Sequence, residues 1–208
     1  MKILAGEPNG AAAKIAKSLN VGCMITTCTK KNQAGPRHKD FLFTAIDNGA
    51  FGCWKSGREF NGELFLDNVT RSNKLELNPL FVVCPDIVAG GLESLKFSLS
   101  WIDKIEYNKK ALVVQDGMRH SDLIPAIDQF QYLFVGGSVS WKWATAENWI
   151  LFAHNRGLKC HIGQCGQLWM LEAAKRFGAD SVDSTSWVVN NSWHIIKEYQ
   201  NPQQLELF

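Results

Sequence analysis

The chain has 208 residues, of which 46% are hydrophobic and 20% charged, and its formal net charge at pH 7 is +2. This composition excludes an intrinsically disordered chain, and the length suits a single domain with a sizeable core. The small net charge argues against wholesale electrostatic capture of nucleic acid, although it permits a local basic patch.

Short apolar runs alternate along the chain with segments of helical pattern. The runs that we predict to be strands are residues 2–5, 22–27, 41–46, 80–84, 111–114, 132–135, 158–162 and 179–182. We predict helices over 11–19, 92–105, 120–130, 145–157 and 166–178, with Thr145 as a cap of the fourth. Residues 30–39 and 52–78 have no clean helical pattern, and we predict them to be loops near an active site.

Strands that alternate with helices predict a parallel sheet, and eight such units are the number that closes a barrel. We therefore predict an α/β fold, a compact (β/α)8 TIM-like barrel, as a single domain over residues 1–198, followed by a flexible tail over 199–208. An open doubly wound sheet is the structural alternative, although the chain has neither G-x-G-x-x-G nor G-x-x-x-x-G-K-[ST].

Location and metal content are predicted from what the chain lacks. It has no apolar run of about 18 residues and no signal sequence at its start, so we expect a cytoplasmic protein with no membrane contact. The six cysteines include no C-x-x-C pair, and several lie in apolar runs that suit reduced core residues. Cys160, His161 and Cys165 do not have the spacing of a standard zinc finger, and we predict no metal site.

Five polar or glycine positions lie just past the predicted strands. They are Asp47, Asp86, Gln115, the Gly136-Gly137 pair and Asp183. In an eight-fold β/α repeat the strand ends open onto one face, where catalytic residues collect. Three carboxylates, an amide and bare backbone around one mouth suit binding of a nucleobase and cleavage of its glycosidic bond. Turns and helix caps are the structural alternative at each position.

These positions lie in an ordered set of motifs: IDNGAFG, VVCPDIVAGG, LVVQDGM, FVGGSVSW and GADSVDSTSW. The set resembles the tRNA-guanine transglycosylase superfamily, including its DNA-acting branch that inserts 7-deazaguanine. The family's D-S-G-G-[FY]-Q, V-Q-G-G, V-G-G-L and G-x-D-x-F-D blocks look like residues 47–52, 114–117, 135–138 and 178–183. The resemblance implies a TIM-like barrel with Asp183 as nucleophile, Asp47 as general acid/base and Asp86 as the residue that recognises the base.

The chemistry of these side chains agrees with the implied roles. A carboxylate can attack the anomeric carbon of a nucleotide to form a covalent glycosyl-enzyme, while a second acid protonates the leaving base. Gln115, with Asp86, can exchange hydrogen bonds with a purine edge, and Gly136 and Gly137 permit close approach of a base to backbone amides. Phe51, in the first motif, completes the predicted base site. No cofactor is implied.

Tryptophan is abundant, with eight residues, and Trp54, Trp141, Trp143 and Trp187 fall in or near these loops. Stacking of a base on an aromatic ring contributes roughly 1–3 kcal/mol, which helps to offset its extraction from a duplex. We predict that Trp141 or Trp187 contacts a flipped base. Basic residues at 30, 31 and 37–39 are candidates for phosphate contact.

The chain also departs from the family. No cysteine follows Asp183, so the usual C-x-C-x-x-C zinc region is missing, and DNA is a better candidate partner than tRNA. Ala50 and Gly52 replace a glycine and a glutamine of the first block, which leaves open a modified pyrimidine instead of guanine.

The last residues, Gln204-Leu205-Glu206-Leu207-Phe208, resemble the Q-L-x-L-F peptide with which bacterial replication and repair proteins bind the sliding clamp. Leu205, Leu207 and Phe208 would enter a hydrophobic groove, and Gln204 would add hydrogen bonds. A stub packed on the barrel is the alternative.

Together these features predict an enzyme that cleaves an N-glycosidic bond in DNA and exchanges guanine for a free 7-deazaguanine base. A DNA glycosylase that leaves an abasic site, of the kind suited to phage–host conflict over modified bases, stays open, since water and an incoming base would use the same pocket. A non-catalytic adaptor for DNA or the clamp, and an unrelated metabolic barrel, are the remaining alternatives.

Overall fold

The computed structural model describes residues 1–27 and 33–202, and its centre is a closed barrel of eight parallel strands in chain order. The strands are β1 Lys2–Gly6, β2 Gly22–Thr26, β3 Thr44–Asp47, β4 Val82–Val83, β5 Lys110–Val114, β6 Tyr132–Val135, β7 Lys159–Ile162 and β8 Ser181–Ser184. β8 pairs with β1 and closes the ring. The predicted (β/α)8 TIM-like barrel is therefore confirmed, and the open doubly wound sheet is excluded.

Helices connect the strands around the outside of the barrel. In the described residues they are α1 Gly10–Ser18, α2 Ala50–Lys55, α3 Gly62–Lys74, α4 Gly91–Leu99, α5 His120–Leu123, α6 Val139–His154, α7 Leu168–Phe177, α8 Ser186–Val189 and α9 His194–Gln200. Short 3-10 helices cover Pro36–Asp40, Ile102–Lys104 and Ile127–Gln129. None of the helices in these ranges has both the length and the apolar character needed to cross a membrane.

Three predictions of local structure were wrong for identifiable reasons. The helix predicted over 120–130 is only α5 and the 3-10 helix Ile127–Gln129, because Pro125 lies between them. Residues 52–78 contain α3, whose buried face mixes Phe65 and Val69 with Asn68 and Ser72, so the apolar stripe is interrupted in the sequence. α6 begins at Val139 and is capped by Ser138, whose hydroxyl accepts a hydrogen bond from the Trp141 amide. Thr145 lies inside that helix and donates to the carbonyl of Trp141 at 2.8 Å, so it is not the cap.

The core has two layers because alternate residues of each strand face opposite sides. The interior of the barrel is filled by Leu4, Met24, Ala45, Phe81, Val83, Ala111, Val113 and Tyr132, and a larger layer lies between the strands and the helices. Asp47 lies two residues after Ala45, and Gln115 lies two residues after Val113. Asp183 is in register with Leu4. The same alternation that buries the core therefore directs these polar side chains to the mouth of the barrel.

Candidate active site at the barrel mouth

Three carboxyl groups meet at the carboxyl ends of the strands. Asp47 is the last residue of β3, Asp183 lies in β8, and Asp86 follows β4 by three residues. Burial, then the charge of Asp183, then that of Asp86 raise the pKa of Asp47 from 3.8 to about 7. Burial likewise raises the pKa of Asp86 to about 6, against the opposing hydrogen bond from Asn48. The structure therefore brings together the three carboxylates that the sequence predicted to share one mouth.

Asp183 is held by His161, a residue that the sequence analysis did not assign to the active site. Nε2 of His161 lies 3.0 Å from Oδ1 of Asp183, and Nδ1 lies 2.8 Å from the hydroxyl of Ser181. The imidazole is fully buried, and its ring lies 5.0 Å from that of Phe81 and 4.5 Å from that of Phe134. This packing fixes the imidazole and, through it, one oxygen of the carboxylate.

The other oxygen of Asp183 is available for chemistry. The amide of Gln164, at 3.4 Å, also donates to Oδ1. Among residues 1–27 and 33–202, Oδ2 has no hydrogen-bond partner, and the Asp183 side chain keeps 13% of its surface exposed. One oxygen thus orients the group while the second is open to the mouth.

A buried lysine adds positive charge beside the nucleophile candidate. Lys142 of α6 is 1% exposed, and its ammonium group donates to the carbonyl of Gly163 at 2.5 Å. Burial lowers the pKa of Lys142, and the charge of Asp183 acts in the opposite direction. In the sequence this lysine stands in S-W-K-W, where nothing distinguishes it from a surface residue. It links the end of β7 to α6 close to Asp183.

Asn48, to which the sequence analysis assigned no role in the site, positions Asp86. Its side-chain amide donates to the carbonyl of Cys84 and to Oδ1 of Asp86, both at 2.8 Å. Its side-chain oxygen accepts from the amide of Ala50 at 2.7 Å. Asn48 is 3% exposed, so these bonds form in a dry environment where they are strong. The end of β3 therefore holds the carboxylate that follows β4.

Gln115 supports the same loop from the next strand. It is 2% exposed, and its amide nitrogen donates to the carbonyl of Ile87 at 2.9 Å. One of its polar groups is therefore already used within the protein, where it braces the segment that carries Asp86. Its predicted contact with a base stays a prediction.

The conformation of the loop after β6 by itself requires a glycine in the Gly136-Gly137 pair. Gly137 has φ +75°, and a Cβ there would lie 2.5 Å from Oδ2 of Asp116 and 2.8 Å from the Trp141 ring. Asp116 in turn accepts from the amide and hydroxyl of Ser138, at 2.7 and 2.6 Å. These contacts fix the start of α6, so the glycines alone are no evidence for a bound base.

The aromatic residues differ most from expectation. Trp187 is fully buried in the layer outside the barrel, so it does not present a face to a base, and of the two predicted contacts only that of Trp141 stays a prediction. Trp141 is partly buried, with its ring 6.1 Å from that of Trp149. Phe51 and Trp54 are 44% and 60% exposed on α2, which begins three residues after Asp47. Their ring centroids are 5.8 Å apart.

The other candidates do not join the three carboxyl groups, or they lie outside the described residues. Asp180, the neighbour of Asp183 in the sequence, precedes β8 at the opposite end of the barrel and contacts His154 at 2.9 Å. Of the basic residues proposed for phosphate contact, Arg37 pairs with Glu7 and His38 is buried, while Lys39 is exposed. Lys30, Lys31 and the predicted clamp peptide, with Gln204, Leu205, Leu207 and Phe208, lie outside the described residues.

Comparison of the chain with protein-family models finds no match, and comparison with curated proteins finds none either. Membership in the transglycosylase superfamily therefore stays a prediction from the motifs.

The raised pKa of Asp47 predicts a pH-dependent effect on stability. The folded chain binds this proton more tightly than the unfolded chain, so its stabilising contribution is complete below about pH 4 and is lost as the pH rises through about 7. An Asp47→Asn variant avoids ionisation, and we expect it to be more stable than the wild type at about pH 8, by about 2–4 kcal/mol, with little difference near pH 4. Urea unfolding at both pH values measures this.

Asp122→Asn is the matched control with the opposite sign. The amide of Arg119 lowers the pKa of Asp122, so this variant should lose stability at about pH 8. An Asp47→Asn protein that is no more stable than the wild type at pH 8 would contradict the conclusion that burial and neighbouring charges raise the pKa of Asp47.

Proposed function

We propose that the protein is an enzyme that cleaves an N-glycosidic bond in DNA through Asp183 and exchanges guanine for a 7-deazaguanine base. The observation that carries the proposal is the state of Asp47, whose pKa of about 7 results from burial and from the charges of Asp183 and Asp86. A carboxyl group that holds its proton near neutral pH beside a carboxylate with an open oxygen supplies both an acid and a nucleophile.

The first half of the reaction uses both groups at once. Oδ2 of Asp183 attacks C1′ of the nucleotide while the bond from C1′ to the base breaks, and the proton of Asp47 passes to the departing base. The sugar is then joined to Asp183 as an ester, and Asp47 is a carboxylate. His161 keeps Oδ1 of Asp183 in place during this change, because its ring is fixed between Phe81 and Phe134.

The second half reverses these roles. The incoming base gives a proton to Asp47, its nitrogen attacks C1′, and the ester to Asp183 breaks. Asp86, which Asn48 orients, would accept a hydrogen bond from an N–H of either base. Water in place of the incoming base would leave an abasic site by the same steps.

The exposed rings of Phe51 and Trp54 support DNA as the substrate. They lie on α2, directly after the strand that ends in Asp47, and Lys55 is exposed at the end of the same helix. Apolar rings next to a cation suit stacked bases and their phosphates. Together with the motif resemblance, this surface supports a nucleic-acid substrate, and DNA is the one that we propose.

Product analysis tests the reaction. The wild type is incubated with DNA that carries normal, 7-deazaguanine or modified-cytosine bases, with and without free 7-deazaguanine bases, and the DNA is analysed by mass spectrometry. We expect a base exchange that leaves the strand resistant to alkali and that Asp183→Asn abolishes. Asp180→Asn is the matched control. Asp180 is close to Asp183 in the sequence but lies at the opposite end of the barrel, so this variant should retain activity.

The other outcomes are equally informative. Released base with alkali-labile strands would replace exchange with hydrolysis. Activity that survives Asp183→Asn would overturn the assignment of the nucleophile. A wild type that leaves every DNA and a tRNA control unchanged would remove the proposal and favour the adaptor.

The aromatic pair predicts a separable effect on binding. In an Asp183→Asn background, Trp54→Ala should weaken binding of fluorescent single-stranded DNA by roughly 5- to 150-fold, the equivalent of about 1–3 kcal/mol for one stacked base. Leu151→Ala is the control, because Leu151 is 53% exposed near the end of α6, on the side of the barrel away from the mouth. Equal affinities of the two variants, measured by anisotropy, would contradict a stacking role for α2.

A further inference from the structure

A second cluster of reactive side chains lies beside the mouth, outside the barrel wall. Glu7 directly follows β1, Cys23 lies in β2, and His38 belongs to the 3-10 helix Pro36–Asp40. A carboxylate oxygen, the thiol sulfur and an imidazole nitrogen from these residues all lie within 4.8 Å of one another. Across residues 1–27 and 33–202 this is the one group of three or more such side chains with that proximity. Residues from three separate segments thus converge on one point.

The imidazole of His38 indicates that the cluster binds a ligand. His38 is 1% exposed, and its Nε2 has no hydrogen-bond partner although it is buried. That atom lies 3.7 Å from Oε2 of Glu7, which is too far for a hydrogen bond. A buried polar atom without a partner destabilises the folded chain, and a bound ligand would remove that cost.

The other nitrogen of His38 contacts both polar groups of the Gly35 backbone. The amide of Gly35 donates to Nδ1 at 3.0 Å, and the carbonyl oxygen of Gly35 lies 3.1 Å from the same atom. The first contact keeps the ring proton on Nε2, whereas transfer of that proton to Nδ1, where the carbonyl would accept it, would free the lone pair of Nε2. A histidine that binds a metal through one nitrogen commonly donates from the other to a backbone carbonyl.

The carboxylate of Glu7 is also oriented. The amide of Thr26 donates to its Oε1 at 3.0 Å, which leaves Oε2 turned toward His38. Arg37 donates to Oε2 at 3.0 Å and would share this oxygen with a cation or move from it. A tetrahedral zinc with Zn–N and Zn–O distances of about 2.0–2.2 Å places these two ligand atoms roughly 3.3–3.6 Å apart. Nε2 and Oε2, at 3.7 Å, would therefore have to approach only slightly.

We propose that Glu7, Cys23 and His38 form a structural zinc site, with a water molecule as the fourth ligand. A set of one sulfur, one nitrogen and one oxygen suits Zn²⁺ better than the oxygen-preferring Mg²⁺ or Ca²⁺. On binding, the S–H bond of Cys23 breaks, a zinc–sulfur bond forms and the proton passes to solvent. The ion would join the end of β1 and the first half of β2 to the 3-10 helix. This proposal is independent of the proposed reaction.

Metal analysis of the full-length protein tests it. After incubation with zinc and removal of excess, we expect one tightly bound zinc per chain, and cobalt substitution should produce the absorption of a thiolate-bound cobalt ion. Cys23→Ala and His38→Gln should each lose the bound metal. Cys84→Ala is the matched control, because Cys84 is an equally buried thiol after β4 and should keep the metal.

A second measurement does not depend on the folding of the variants. A strong chelator should lower the melting temperature of the zinc-loaded wild type, and added zinc should restore it. A wild type that retains no zinc after loading, shows no thiolate–cobalt absorption and melts identically with and without chelator would overturn the proposal. Loss of metal from Cys84→Ala as complete as from Cys23→Ala would do the same.

Discussion

Three carboxyl groups share the mouth of this barrel because the strands that carry them all end on the same face. Their proximity and partial burial make ionisation of all three costly, and Asp47 carries much of that cost as a pKa of about 7. The rest of the site compensates for the crowding: Asn48 donates to Asp86, and the buried ammonium group of Lys142 lies near Asp183. Burial, together with this repulsion, raises the pKa of one carboxyl group to the neutral range.

Residues of the barrel interior also help to hold the side chains of the site. His161 lies on β7, two residues before Gly163, which follows the strand at the mouth. Phe81 and Phe134 pack against the His161 ring in the barrel interior. Packing in the barrel therefore determines the orientation of Asp183. A substitution in this aromatic layer would alter the chemistry without touching a substrate, since it would release the imidazole that holds Oδ1.

The alternation of apolar runs with helical segments was enough to predict eight parallel strands and the carboxylates at three strand ends. Residues whose role depends on pairing between distant strands could not be predicted in this way. His161 faces Asp183 only because β7 and β8 are neighbours in register, and Asn48 reaches Asp86 only because β3 lies beside β4. Trp187 was misassigned because its polar neighbours in the sequence do not show that its ring is buried.

The most direct test of Asp183 as the nucleophile is to isolate the covalent intermediate. A substrate with a 2′-fluoro nucleotide at the target base should slow both halves of the reaction and let the ester accumulate. Digestion and mass spectrometry of the protein should then locate the added sugar on the peptide that contains Asp183, and the adduct should be absent from Asp183→Asn. Base release without any adduct, or an adduct on Asp47, would contradict this mechanism.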